Sequence, residues 1–126
     1  MPESSVRQYM VQARSSDIFG RVLCNARSHH FVVDGPVQNG CPGEAITPAE
    51  LFLSGVAACG VELLQVIAKN DNIAIPIVAV RIEGKIDREN PVRTDVMVFN
   101  EVHLHFDLQG VAEKTARELV EKFKAR

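Results

Sequence analysis

Three stretches near the start of the chain, residues 6–14, 18–25 and 29–34, are β-branched or alternate between apolar and polar positions. Polar or glycine-containing breaks such as Ser15-Ser16-Asp17 part them, so the pattern predicts three short strands. Residues 34–43 gather Asp34, Gly35, Pro36, Asn39, Gly40, Pro42 and Gly43, the makings of a turn-rich loop. The character then changes. Thr47-Pro48-Ala49-Glu50 carries three agreeing helix-start signals: a capping hydroxyl, a proline suited to the first helical position, and a glutamate that completes a capping box. From there to about Asn70 the chain is apolar on almost every side until Glu62, Gln65 and Lys69 open a polar stripe. A helix apolar all round is expected to be buried.

Two period-two segments follow. In residues 77–86 the even positions Val78, Val80, Ile82 and Ile86 are apolar, while Arg81, Glu83 and Lys85 alternate with them. In residues 96–108 the apolar set is Val96, Val98, Val102, Leu104, Phe106 and Leu108, and the polar set ends in Glu101, His103, His105 and Asp107. Each is expected to bury one face, with residues 87–95 as the loop of an extended hairpin. After Gly110 an amphipathic helix carries Val111, Ala112, Thr115, Ala116, Leu119, Val120 and Phe123 on one stripe. Strands that cluster instead of alternating with helices give an α+β fold. Small residues in the central helix (Ser54, Gly55, Ala57, Ala58, Gly60) would admit a second backbone, and a thin sheet cannot surround that helix alone. An obligate homodimer is expected.

Composition narrows the function classes. The 126 residues make a single domain, 1–126, with 46% hydrophobic and 24% charged residues, as in ordinary globular proteins. A net charge of -2 and 6% aromatics without tryptophan give no footprint for nucleic acid or an anionic membrane surface. The most apolar run, residues 51–61, is about half the ~20 residues of a membrane span. Three cysteines at irregular spacing, and no charged-then-apolar leader, point to a reducing, cytoplasmic setting.

Cys59 is the most informative of the three. On spacing alone, the commoner reading of a cysteine in an apolar helix is a packed core residue. A nucleophile would need a cation, because the helix start lies about 18 Å away along the axis. Arg14, Arg21 and Arg27 in the N-terminal strands are the candidates. Cys41, flanked by Gly40 and Pro42, is expected to be exposed and incidental. His103 and His105 share a strand face but lack further ligands at suitable spacing, so neither a metal nor any other cofactor is expected.

The stretch Thr47-Pro-Ala-Glu-Leu-Phe-Leu-Ser-Gly-Val-Ala-Ala-Cys59 resembles the central-helix motif of the osmotically inducible protein C and organic hydroperoxide resistance superfamily (OsmC/Ohr). The flanking Arg27-Ser-His-His-Phe-Val-Val-Asp-Gly-Pro36 is similar to the strand and turn before that helix, and the later elements fall in the family's order. The resemblance implies an intertwined homodimer in which antiparallel sheet wraps a buried central helix. It also implies a thiol peroxidase: Cys59 would attack a small organic hydroperoxide, an arginine (Arg27, within the matching segment) would activate it, and a thiol reductant would restore it. The family's catalytic glutamate, ten residues before the cysteine, corresponds to Ala49 here; Glu50, one place later, is the candidate acidic partner if the helix start shifts. A resolving cysteine is expected after the last helix, and the sequence stops at Arg126 before one occurs. The other reading is a catalytically impaired OsmC-like dimer that binds a small apolar ligand or senses oxidants.

Overall fold

The structure is a computed structural model that describes residues 5–95 and 98–125. The chain divides into two compact units, one running to Leu51 and the other starting at Phe52.

In the first unit β1 (Gln12–Ser15), β2 (Arg21–Ala26) and β3 (His29–Asp34) form an antiparallel meander in the order β1-β2-β3. The first strand is shorter than its sequence pattern suggests, and the register gives the reason. Gln12 faces Asn25, so Met10 would face Arg27, which already belongs to the turn leading into β3. Val6, Tyr9, Met10 and Val11 are consequently left exposed. The second strand starts at Arg21, three residues later than expected, because a turn occupies residues 16–20. Gly20 there has a positive φ of 82°, and the Ser16 hydroxyl donates to the Arg21 carbonyl at 2.8 Å.

In the second unit β4 (Ile77–Lys85) and β5 (Glu101–Gln109) form the expected antiparallel hairpin, with Val80 opposite Phe106 and Ile82 opposite Leu104. Their alternation is as read from the sequence from 78 to 82 and from 102 to 108, where even positions are half-buried and odd ones exposed. Ile86 and Val98, expected on the same faces, lie outside the strands and are exposed. The second strand begins at Glu101. Asn100 ends the ladder there, its side-chain oxygen accepting from the Asp87 amide at 2.7 Å and its amide nitrogen donating to the Asn90 carbonyl at 2.6 Å. Val96, the expected first residue of this strand, lies outside the described residues.

The helix α1 (Pro48–Asn70) starts where the capping signals placed it, and α2 (Glu113–Lys124) closes the chain. The core of the second unit is Leu64, Ile67 and Ala68 of α1 with Leu119 of α2, supported by Val78, Phe106, Leu108, Val120 and Phe123. The α+β class and antiparallel sheets follow the sequence reading. Within the single chain, however, α1 is buried along one face only, at Gly60, Leu64, Ile67 and Ala68. One two-stranded ribbon and one helix cover one side of a cylinder. Leu51, Phe52 and Val66 stay exposed, although α1 is long and apolar enough to cross a membrane by length and composition.

Candidate functional site

The start of α1 is built by Thr47 and Glu50. The Glu50 amide donates to the Thr47 hydroxyl at 3.3 Å, while Glu50 Oε1 accepts from the Thr47 amide at 3.1 Å and from its hydroxyl at 2.8 Å. This is the reciprocal capping box read from the sequence. The Thr47 amide, followed by the Thr47 hydroxyl, holds the Glu50 carboxyl below its ordinary value.

Farther along α1, Cys59 is exposed, whereas Cys24 and Cys41 are half-buried; all three thiols are free. Its neighbour Gly60 turns inward, and a Cβ there would lie 3.6 Å from the Phe106 ring and 3.7 Å from Leu104. The buried and open sides of the helix therefore part between these two residues. Phe52 precedes Cys59 by seven residues, about two helical turns, and so shares its face. It stacks on Phe99 with ring centroids 5.6 Å apart and planes 19° from parallel, and it remains 57% exposed. Gly84 makes room for this stack, since a Cβ there would come within 2.7 Å of the Phe99 ring and 3.0 Å of Leu53. The thiol thus sits on an open helix face that also offers an aromatic platform.

The three candidate arginines differ in their surroundings. Arg27 is at the exposed tip of the β2–β3 hairpin with a positive φ of 56°, a turn residue and not the strand residue expected. Among the described residues its guanidinium has no hydrogen-bond or ion-pair partner, and Arg14 is likewise unpaired. Arg21 is committed to two carboxylates. Its Nε and Nη2 donate to both oxygens of Asp34 at 2.8 and 2.9 Å, and Nη2 also reaches Glu44 at 3.1 Å. Asp34 has no solvent exposure, and its Oδ2 accepts from the Glu44 and Ala45 amides at 3.0 and 2.8 Å. Arg21 foremost, with the Ala45 amide next, holds the Asp34 carboxyl far below the usual range; Asp34, then Glu44, raises Arg21 correspondingly. This clamp ties residues 44–46 to the end of β3, one residue before the α1 cap. Sequence reasoning missed it, because nothing in the local pattern around Asp34 distinguishes a buried carboxylate from a turn residue.

Cys41 also differs from its expectation. Its sulfur fills the notch left by Gly20 and Gly35, where an added Cβ at either glycine would come within 2.4 Å of it. The notch forms because the Gly35 amide donates to the Gly20 carbonyl at 2.8 Å, which draws the two backbones together. His103 and His105 lie on the exposed face of β5, with His103 3.7 Å from Glu101. Among the described residues no three His, Cys, Asp or Glu side chains are grouped to hold a metal ion.

The sequence model of the OsmC-like protein family matches residues 41–126, from the loop before α1 to the end of the chain. The chain belongs to this family. Its fold is shared by an OsmC-like protein from Mycoplasma pneumoniae, with a TM-score of 0.79 at 20% identity over 95% of this chain and 82% of that one. An organic hydroperoxide resistance protein from Elizabethkingia anophelis, solved with thiocyanate bound, gives 0.76 at 21% identity over 95% and 83%. One from Legionella pneumophila gives 0.70 at 24% identity over 94% and 83%. The last two are named for resistance to organic hydroperoxides. A search of curated proteins returns no significant match. Cys59 and Glu50 fall inside the matched span; Arg21 and Arg27 precede it.

Proposed function

We propose that the protein is a cysteine-dependent reductase of small organic hydroperoxides, with Cys59 as its peroxidatic thiol and Arg27 as the cation that favours the thiolate. The observation that carries this reading is the exposure of Cys59 on the face of α1 that also bears the Phe52–Phe99 stack. The thiolate sulfur attacks the terminal peroxide oxygen. The O–O bond breaks as the S–O bond forms, the sulfur is oxidised by two electrons to a sulfenic acid, and the alkoxide leaves and takes a proton from water. A small thiol then condenses with the sulfenic acid, releasing water, and a second thiol exchanges the mixed disulfide to restore Cys59. Arg27 suits its role because its guanidinium is uncommitted, whereas Arg21 is spent on Asp34 and Glu44.

The reading includes a cytoplasmic homodimer in which a second copy covers the open apolar side of α1 and leaves a pocket for the substrate at the seam. The exposure of Leu51, Phe52 and Val66 in the single chain supports that arrangement. Intact-mass spectrometry after treatment with cumene hydroperoxide tests the chemistry. Wild type is expected to gain oxygen at Cys59, Cys59→Ser to gain none there, and Arg27→Ala to react more slowly. Oxidation confined to Cys24 or Cys41 would overturn the reading in favour of a dimer that binds a small apolar ligand.

A further inference from the structure

The meander of the first unit holds a hollow of about 730 Å³, walled by two cross-strand rows. One row is Gln12–Asn25–His30 and the other Arg14–Leu23–Val32, with the row between them as the floor. Rows two residues apart point to the same side of a sheet, so these six side chains share one face. We propose that the hollow binds a small organic carboxylate with a short apolar body. The proposal does not depend on Cys59 being a reactive thiol.

Charge, shape and the two faces of the sheet carry it. Arg14 has no partner among the described residues, whereas Arg21, on the same face, is bound to Asp34 and Glu44. No acidic side chain lines the hollow, and Gln12, Asn25 and His30 can each donate a hydrogen bond. An unpaired guanidinium among donors matches a group that only accepts, as an ionised carboxylate does. Leu23 is half-buried and Val32 is 40% exposed, so apolar surface stands directly beside the cation. Three strands span about 10 Å, and two residues along a strand about 7 Å. That footprint admits a single ring or a short chain and is narrower than a helix of about 10–12 Å. An antiparallel sheet commonly packs one face and leaves the other in water. The opposite face of the meander, with Val22, Cys24, Phe31 and Val33, carries no arginine, lysine or carboxylate. It is the face suited to the apolar surface of a second copy, which leaves the hollow and its cation on the wet side.

Octanoate titrated into the isotope-labelled full chain tests the site, with octanol and inorganic phosphate titrated separately. Calorimetry reads the affinity, and displaced amide signals in NMR spectra read the place. Octanoate is expected to displace signals centred on Leu23 and Val32, and to bind about tenfold or more tighter than octanol or phosphate. Arg14→Gln should weaken octanoate by about tenfold, the loss of one charge-assisted pair, and leave octanol unchanged. Val32→Asp should abolish octanoate binding by like charge, at a melting temperature close to that of wild type because the position is partly exposed. Cys59→Ser should bind octanoate as wild type does. Octanol as tight as octanoate, or Arg14→Gln without effect, would reduce the hollow to an apolar dent. Phosphate as tight as octanoate would make it a site for any anion. Signals displaced along α1 instead, or binding lost in Cys59→Ser, would move the carboxylate to the thiol. Octanoate leaving the meander signals in place would mean that a second copy covers this face. Each of these last four outcomes overturns the proposal.

Discussion

The two units bury different things. In the first, the side chain most completely removed from solvent is a carboxylate, Asp34, held by Arg21 and two backbone amides. In the second, it is a pair of leucines, Leu64 and Leu119, one from each helix. An apolar core tolerates rearrangement, because its contacts are numerous and non-directional. A buried ion pair does not, because each lost partner leaves a charge in a place without water. The first unit therefore gains definition of the loop before α1, and the second gains the bulk of the hydrophobic stabilisation.

The largest expected effect comes from the apolar side. Leu64→Ala removes a fully buried side chain between α1 and α2 and should cost about 3–4 kcal/mol, or about 10–15 °C in melting temperature. A loss below about 1 kcal/mol would mean that the two helices are not tightly packed there. Chemical denaturation with matched slopes supplies the measurement.

Asp34→Asn comes next, with a fall of roughly 10 °C at neutral pH, since Arg21 would keep only Glu44 as a charged partner and the Glu44 and Ala45 amides would lose their carboxylate acceptor. The pH dependence separates this region from the leucine core. Because the native carboxyl is held far below its ordinary value of 3.8, the clamp contributes in full above that value and is lost as pH falls beneath it. The gap in melting temperature between wild type and Asp34→Asn should be constant between about pH 5 and 7 and shrink progressively below about pH 4. The gap between wild type and Leu64→Ala should show no such narrowing. A pH-independent Asp34 gap would show that packing, and not charge, makes the clamp.

That contrast also explains what was legible in the sequence. The apolar unit declares itself through local periodicity. Val78, Val80 and Ile82 against Val102, Leu104 and Phe106 gave the hairpin, and Thr47 through Glu50 gave the start of α1 to the residue. The family motif drew attention to Cys59. The clamp joins Arg21, Asp34 and residues 44–46 across the meander, and no period of two or 3.6 encodes such a meeting. Two further misses are conformational. Arg27 occupies a positive-φ turn position without being glycine or asparagine, and Cys41 is drawn inward by two glycines distant in sequence. The openness of α1 was illegible for another reason. An all-round apolar helix tells that its sides are to be covered, and only the fold tells how many of them this chain covers by itself.

The aromatic stack of the second unit, Phe52 on Phe99, gives the next smaller effect. Gly84→Ala would ordinarily stabilise a strand, since glycine is the weaker strand residue. Here the new methyl meets Phe99 at 2.7 Å and Leu53 at 3.0 Å, so the change should instead cost about 1–2 kcal/mol and pull Phe99 off Phe52. A melting temperature at or above that of wild type would show that the Phe52–Phe99 platform moves freely.

The smallest effect sharpens the comparison most directly, because it sets one arginine–carboxylate pair against another. Arg117 bonds Glu113 across one turn of α2 at 2.6 Å, a contact shorter than the Arg21–Asp34 bonds at 2.8 and 2.9 Å, yet both side chains are 78% exposed. Water solvates each partner when the other is removed, so no buried charge is stranded. Arg117→Ala should therefore cost only about 0.3–0.5 kcal/mol, a shift of about 1–2 °C, and raising salt toward 1 M should erase most of it. The Asp34→Asn gap should survive the same salt, because mobile ions cannot reach a carboxylate with no solvent exposure. Equal salt sensitivity in the two variants would mean that Asp34 is open to solvent in solution and that distance, not burial, sets the strength of both pairs.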